Sequence, residues 1–144
     1  MAGELILIVE DNDKNLKLVR DVLQVKGYRT LEAGTAERGI ALAGEHRPDL
    51  ILMDIQLPDL PGDQALAHLR AEPATAAIPV VALTAMAMKD DEQRLLAAGF
   101  CGYLTKPISV KDFPEQVRRF SERSAGLTGG DGGGGLVGSS CRPV

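Results

Sequence analysis

The fold is decided by one stretch of this 144-residue chain, Asp49-Leu50-Ile51-Leu52-Met53-Asp54-Ile55-Gln56-Leu57-Pro58-Asp59. It starts as an apolar run and stops on the carboxylate of Asp54. A short apolar run without polar alternation is typical of a strand buried on both faces. Pro58, Pro61 and Gly62 then predict a loop. Asp54 is therefore predicted at the carboxyl end of a central strand, where parallel α/β sheets bind ligands. The alternative is that Asp54 is an ordinary turn residue.

Four further strands and five helices are predicted to alternate around this stretch. The other strands are predicted at 5–9, 28–33, 78–84 and 101–105, and the helices from Asn12 or Asp13 to Gly27, from the Thr35 cap to about Gly44, from Gly62 to Leu69, from the Asp90 cap to Ala98, and from Ser109 onward. This alternation predicts an α/β fold, a parallel sheet with helices on both faces. By analogy with known folds of this pattern, we predict a flavodoxin-like, doubly wound, five-stranded sheet of order 2-1-3-4-5 with five helices.

The composition changes near the carboxyl end of the chain. Hydrophobic residues make up 44% of the whole, which is typical of a globular domain. From Ser124 the sequence is rich in glycine and nearly free of aromatic residues, so it cannot bury enough apolar surface to offset the entropy of ordering. We therefore predict one folded domain over residues 1–123 and a Gly-rich disordered tail over 124–144.

Charge and residue usage argue against several classes of function. The formal net charge is -4 and aromatic residues make up only 3%, which argues against direct nucleic-acid binding and against stacking a base or flavin. No apolar run approaches the length that spans a membrane. Cys101 and Cys141 have no metal-ligand spacing, and one falls in a core-like segment and the other in the tail. We expect no disulfide and predict a soluble protein of the reducing cytoplasm.

Chemically active side chains follow four of the predicted strands. The first strand is followed by Glu10 and Asp11, the third ends in Asp54, the fourth in Thr84, and the fifth is followed by Lys106. The carboxyl ends of parallel strands share one edge of the sheet, so these side chains are predicted to meet in one cleft. Two carboxylates about 4 Å apart repel by about 4 kcal/mol at an effective dielectric near 20, so the cleft requires a cation or carboxyl groups with raised pKa values. A ligand set made only of oxygen atoms favours Mg²⁺, or Mn²⁺, over zinc.

A carboxylate beside a hard metal ion is suited to phosphoryl transfer. Asp54 can act as a nucleophile and form an acyl phosphate, while Lys106 pairs with one phosphoryl oxygen and the Thr84 hydroxyl donates to another. The alternatives for these two are structural: Lys106 in a salt bridge with a carboxylate, and Thr84 capping its own loop.

Several motifs together carry a family resemblance. They are Val9-Glu10-Asp11-Asn12, Pro48-Asp49-Leu50-Ile51-Leu52-Met53-Asp54 through Pro58, Leu83-Thr84-Ala85 and Lys106-Pro107. Over residues 4 to about 123 the chain resembles the receiver domain of bacterial response regulators, the phosphoacceptor proteins of two-component signalling. Within that family it is most similar to the single-domain, DivK-like cell-cycle regulators.

The resemblance implies a phosphorylation site and a metal site. Asp54 is expected to be a phosphoacceptor that takes its phosphoryl group from a sensor histidine kinase or a histidine phosphotransfer protein. Mg²⁺ is expected to be bound by Glu10 through water, by Asp11, by Asp54 and by the backbone carbonyl of Gln56.

The resemblance also implies a switch and a mode of output. Thr84 and Tyr103 are expected to move together on phosphorylation and to change the face formed by the fourth helix, fifth strand and fifth helix, which then binds a downstream protein target. We expect a monomer or weak dimer that does not bind nucleic acid or membrane directly. It is not expected to be an enzyme beyond Mg²⁺-dependent self-phosphorylation and self-dephosphorylation.

Two other classes of protein use related folds. An aspartyl-phosphate hydrolase also has a strand-end Asp nucleophile, but typically carries a second Asp two residues later, where this chain has Gln56. Such enzymes usually add a cap domain, for which this chain has no room. A flavodoxin-like cofactor binder needs a Ser/Thr/Gly loop after the first strand to hold phosphate. The run Glu10-Asp11-Asn12-Asp13 would repel a phosphate instead.

Overall fold

The computed structural model describes residues 4–84 and 89–105, together with Phe113, Glu115, Val117 and Arg118. Within these residues, strands and helices alternate as the sequence predicts. The strands are β1 (Leu5–Val9), β2 (Arg29–Ala33), β3 (Leu50–Asp54), β4 (Val80–Thr84) and β5 (Gly102–Thr105), and the helices are α1 (Asp13–Val25), α2 (Ala36–His46), α3 (Gly62–Ala71) and α4 (Lys89–Ala98).

All five strands form one parallel sheet of order β2-β1-β3-β4-β5, which confirms the predicted flavodoxin-like topology. The strand pairing places Val9 beside Met53, Asp54 beside Leu83, and Thr84 beside Thr105. Strands β1, β3 and β4 therefore end within about two residues of each other at the same edge, with β4 reaching farthest. Every residue of β3 and β4 is buried, as expected for central strands covered on both faces.

The helices cover the two faces of the sheet and bury two separate apolar clusters. On one face, residues of α2, α3 and α4 pack against alternate strand residues such as Val9 and Met53. On the other face, α1 packs against residues such as Ile8 and Leu52. This alternation along each strand is the geometric consequence of the twofold period of a β-strand.

The predicted fifth helix is described only in part. Phe113, Glu115, Val117 and Arg118 are helical. Phe113 and Val117 are fully buried in the cluster on the α1 face. The predicted cap at Ser109 and the predicted tail over 124–144 lie outside the described residues.

Two helix starts agree with the predicted caps. The Asn12 side chain accepts hydrogen bonds from the N–H groups of Lys14 and Asn15, so Asn12 rather than Asp13 caps α1. Thr35 caps α2 by accepting from the N–H of Arg38.

Two predicted helix boundaries are wrong. Helix α2 does not end near Gly44 but continues to His46, because Arg47 supplies the left-handed turn (φ 49°) that ends it. Helix α4 begins at Lys89, so Asp90 is not its cap but lies within the helix. Gly99, with φ 113°, follows the end of α4 as predicted.

Cys101 is fully buried just before β5, as predicted for a core residue. It is disulfide-bonded, so the expectation of no disulfide is wrong. The other cysteine of the chain, Cys141, lies outside the described residues. None of the helices in the described part of the chain is long and apolar enough to cross a membrane.

Helix α2 approaches β1 closely at Gly39, which has no side chain to keep them apart. A Cβ atom at Gly39 would lie 2.7 Å from Cγ2 of the buried Val9, whereas a Cβ atom at Gly44 in the same helix would meet nothing within 4 Å. We expect Gly39→Ala to lower the free energy of unfolding by about 1–3 kcal/mol because Val9 cannot move aside. Gly44→Ala, the matched control, is expected to raise it by about 0.5–1 kcal/mol because alanine costs less backbone entropy.

Urea denaturation of the two variants and the parent chain measures both effects. Equal stabilities for Gly39→Ala and Gly44→Ala would show that α2 does not lie as close to β1 as described.

Candidate functional site

The turn between β1 and α1 is held in place by backbone and capping hydrogen bonds. Glu10 follows β1 directly, and its N–H donates to the carbonyl of Ala33 at 2.9 Å, which extends the β1–β2 pairing by one residue. The Glu10 side chain is only 1% exposed, and its Oε2 accepts from the N–H of Asn12 at 3.1 Å. Because Asn12 also caps α1, Asp11 is held between two anchored neighbours and stays exposed to solvent.

Asp54 is the last residue of β3 and is 4% exposed. Its Oδ1 accepts from the N–H of Gln56 at 2.9 Å, and the N–H of Ile55 donates to the carbonyl of Leu83 at 3.2 Å. The first contact turns the chain away from the sheet directly after Asp54. The carboxylate therefore stays at the sheet edge while the following residues form a loop above it.

The two turns bring three carboxylates together. One oxygen each from Glu10, Asp11 and Asp54 can be chosen so that all lie within 4.8 Å of one another. Two of these groups are buried and one is exposed, so the cluster has one side open to solvent. Three oxygen donors at this spacing fit a hard divalent cation such as Mg²⁺ or Mn²⁺, which prefers oxygen ligands and keeps some of its water.

The remaining predicted site residues are placed to different extents. Thr84 ends β4 beside the end of β3 and is 2% exposed. Tyr103 in β5 is half-buried and packs against the α2–α3–α4 core face. Gln56 is exposed in the loop after β3. Lys106 lies outside the described residues, so its predicted place in the cleft stays a prediction. The roles of Thr84 and Tyr103 as a switch pair likewise stay predictions.

Two residues help to fix the β3–α3 loop beside the site, and the sequence alone does not indicate this role. The carboxylate of Asp59, in the β3–α3 loop, accepts hydrogen bonds from the first two N–H groups of α2, those of Ala36 and Glu37. These N–H groups, that of Ala36 first, hold the pKa of Asp59 below its ordinary value. No local pattern reveals this contact, because its two sides are 22 and 23 residues apart.

The second is Gly62, the first residue of α3, where the sequence predicts the end of a loop and the start of a helix but no steric role. A Cβ atom there would lie 2.7 Å from Cα of Ile55 and 3.1 Å from the carbonyl oxygen of Asp54. Its N–H donates to the carbonyl of Ile55 at 3.1 Å. The end of the loop thus touches its beginning, immediately beside Asp54.

A five-stranded parallel α/β protein with a carboxylate cluster at the carboxyl edge of its central strands belongs to the class that binds charged ligands at that edge. The family of response regulator receiver domains matches residues 6–118. The chain belongs to this family, and thus to the proteins of two-component signalling that work with histidine kinases and downstream targets.

Known relatives agree with this assignment. The chain is 45% identical over 115 residues to the polar-differentiation response regulator DivK of Brucella anthropi, a match that covers 80% of this chain and 94% of that protein. It is 44% identical, with the same coverage, to the DivK of Brucella ovis. The resemblance to DivK-like regulators found in the sequence motifs is thereby confirmed.

Solved structures resemble this chain in fold. The receiver domain of the sensor histidine kinase PA1611 from Pseudomonas aeruginosa PAO1, which has a magnesium ion coordinated in its active-site cleft, is 35% identical with a TM-score of 0.76 and covers 84% of this chain and 99% of its own. The chemotaxis response regulator CheY4 of Vibrio cholerae, at 24% identity and a TM-score of 0.78, covers 82% and 98% and supports the fold alone.

Proposed function

We propose that this chain is a single-domain response regulator that accepts a phosphoryl group on Asp54 from a phosphohistidine, in a reaction that needs Mg²⁺. The observation that carries the proposal is the carboxylate cluster. Glu10, Asp11 and Asp54 offer oxygens within 4.8 Å of one another at the sheet edge. The donor is a sensor histidine kinase or a histidine phosphotransfer protein, and the setting is the cytoplasm.

The proposed reaction transfers a phosphoryl group from a histidine to Asp54. One carboxylate oxygen of Asp54 attacks the phosphorus of the phosphohistidine. The new P–O bond forms as the P–N bond breaks, and the released imidazole keeps the bonding electron pair and takes up a proton. The anchored Asp54 needs no large movement, because its other oxygen is held by the N–H of Gln56.

The residues that would hold the metal are Glu10 (through water), Asp11, Asp54 and, by its backbone carbonyl, Gln56. When bound, Mg²⁺ supplies positive charge that offsets the negative charge of the carboxylates and the incoming phosphoryl group. Lys106 is the second source of positive charge and pairs with a phosphoryl oxygen. The Thr84 hydroxyl donates to another.

Signal output is a shift between two conformations. An added phosphoryl dianion draws Thr84 toward it, and Tyr103 turns inward with it. The half-buried state of Tyr103 in the described structure leaves room for such a change in exposure. The face formed by α4, β5 and the fifth helix then favours a downstream protein target, as expected for a population shift driven by one local charge. The chain acts as a monomer or weak dimer and turns over no substrate other than its own acyl phosphate.

The test is intact-mass measurement after incubation with acetyl phosphate, with and without Mg²⁺. We expect a phosphate-sized gain that requires Mg²⁺ and is absent from Asp54→Asn. The matched control is Asp49→Asn at the opposite end of the same stretch. Asp49 accepts from the N–H of Leu5 at 2.8 Å and is no part of the cluster. It should be phosphorylated like the parent chain.

Two results would count against the proposal. A gain that persists in Asp54→Asn would place the phosphoryl group elsewhere. Absence of any gain, from acetyl phosphate and from a histidine kinase alike, together with no response to beryllofluoride, would leave the chain as an interaction module that works without phosphorylation. Turnover of small phosphate esters would instead indicate a hydrolase.

A further inference from the structure

The β3–α3 loop is fastened to the start of α2 by one side chain. The N–H of Ala36 donates to Oδ1 of Asp59 at 2.9 Å, and the N–H of Glu37 donates to Oδ2 at 3.0 Å. Both carboxylate oxygens are therefore engaged, each by a different amide. The first N–H groups of a helix have no partner within the helix and carry partial positive charge, so an aspartate there is favoured by hydrogen bonding and by the helix dipole.

Helix α2 also has a cap of its own, which separates two tasks. The Thr35 hydroxyl accepts from the N–H of Arg38 at 3.2 Å, and the carbonyl of Thr35 accepts from the N–H of Gly39 at 3.0 Å. Local capping thus provides for the third and fourth N–H groups of the helix. Asp59 provides for the first two from a distant loop, so its contact positions that loop as well as the helix.

This contact connects the two segments that supply the carboxylate cluster. The first half of the cluster is Glu10 and Asp11, after β1, and the second half is Asp54, at the end of β3. Glu10, in the first half, donates its N–H to the carbonyl of Ala33, which ends β2 two residues before Thr35. Asp59 joins the helix that follows to the loop that begins at Asp54, in the second half. The two hydrogen bonds of Asp59 thus link this loop to α2.

We propose that Asp59 is a positioning residue for the metal and phosphoryl site: by holding the middle of the β3–α3 loop against α2, it keeps Gln56 in place above the carboxylate cluster. The inference rests on the proposed function for the part that concerns Mg²⁺. Its structural part, the control of the loop by Asp59, stands without any metal or phosphoryl group. Asp59 itself touches neither.

The experiment compares Asp59→Ala, Asp59→Asn and Thr35→Ala in the full chain. Thr35→Ala is the matched control, because it also weakens the start of α2 but leaves the loop contact intact. The first readout is the rate of amide hydrogen exchange at Gln56 and Gly62 in Mg²⁺-free buffer, measured by NMR. The second is the Kd for Mg²⁺ from titration of the same signals, and the third is the phosphorylation rate at saturating Mg²⁺.

We expect faster exchange at Gln56 and Gly62 in Asp59→Ala but not in Thr35→Ala. The Kd for Mg²⁺ should rise about 10-fold in Asp59→Ala, the lower end of the range for residues that orient metal ligands. Asp59→Asn keeps one oxygen acceptor and should lie between Asp59→Ala and the parent chain. The phosphorylation rate at saturating Mg²⁺ should fall much less than the Mg²⁺ affinity, because the metal, once bound, restores the loop.

The outcomes separate this inference from the proposed function. Unchanged exchange at Gln56 and Gly62 in Asp59→Ala, or the same change in Thr35→Ala, would overturn the positioning role whatever the chain does with phosphate. Faster exchange without any change in the Kd for Mg²⁺ would overturn its link to the metal site. Failure of phosphorylation in the parent chain would count against the proposed function, while the exchange data would still decide the role of Asp59.

Discussion

In Mg²⁺-free buffer, Asp54→Asn is expected to be more stable than the parent chain by about 1–2 kcal/mol, although it removes the proposed phosphoacceptor. Its charge repels two others, because Glu10, Asp11 and Asp54 offer oxygens within 4.8 Å of one another. Asparagine has nearly the same shape and keeps an oxygen that can accept from the N–H of Gln56. The substitution therefore removes repulsion without opening a cavity.

The size of the effect is a balance of opposing terms. A pair of charges near 4.8 Å repels by about 3–4 kcal/mol at an effective dielectric of 20, and solvent at the exposed Asp11 reduces this. The ammonium group of Lys106, at its predicted position in the cleft, would offset a further part of the repulsion between the carboxylates. A net gain of about 1–2 kcal/mol remains, which is well above the precision of urea denaturation.

Addition of Mg²⁺ should reverse the order of stability. A ligand that binds only the folded state at 100 times its Kd adds about 2.7 kcal/mol to the free energy of unfolding. The parent chain should gain this amount, and Asp54→Asn should gain little because it lacks one ligand charge. Asp49→Asn should follow the parent chain in both buffers. An Asp54→Asn protein that is less stable than the parent without Mg²⁺ would show that repulsion does not govern this cluster.

Such a cluster explains why the central part of the site could be predicted from the sequence. Strands β1, β3 and β4 are short apolar runs; β3 and β4 end on Asp54 and Thr84, and Glu10 directly follows β1. The apolar run therefore marks both the strand and the polar residue at its end. In a parallel sheet those ends must share one edge. The topology alone then brings the polar side chains together, without any knowledge of the loops.

What the sequence did not reveal depends on contacts between distant segments. The end of α2 was misplaced because Arg47 takes a left-handed conformation that glycine usually provides, and no local pattern signals this. The role of Asp59 depends on amides more than twenty residues away. The steric role of Gly62 depends on the path of the loop back to Ile55. These are properties of the assembled fold, whereas strand ends and helix caps are properties of a few neighbouring residues.

Gly62→Ala is expected to change the free energy of unfolding more than Gly39→Ala or Gly44→Ala does. The new Cβ would lie 2.7 Å from Cα of Ile55, 3.1 Å from the carbonyl oxygen of Asp54 and 3.3 Å from Cβ of Ile55. These atoms belong to the end of β3 and the residue after it, so they cannot rotate away as the end of a flexible side chain can. We expect a loss of about 3 kcal/mol in the free energy of unfolding, at the upper end of typical overpacking costs.

The same substitution should weaken the metal site, since the displaced atoms adjoin both Asp54 and Gln56. We expect the Kd for Mg²⁺ to rise about 10-fold, as for other residues that support metal ligands. Gly44→Ala is the matched control, because it adds the same methyl group where nothing lies within 4 Å. It should leave the Kd unchanged. If the free energy of unfolding of Gly62→Ala lies within about 1 kcal/mol of that of the parent chain, the cost is at or below the low end of the overpacking range. That result would contradict the close approach of Gly62 to Ile55.

A double substitution then tests whether Gly62 and Asp59 act on the same loop. Gly62 lies at the end of the loop and Asp59 in its middle, and Gln56 is the proposed metal ligand that both could affect. If each substitution alone frees the backbone carbonyl of Gln56, the second substitution should add little. The fold-increase in the Kd for Mg²⁺ of the double variant should then be smaller than the product of the two single fold-increases. Fully multiplicative effects would mean that the two residues support the site by separate routes, with Asp59 acting through α2 and Gly62 acting through the backbone of Asp54.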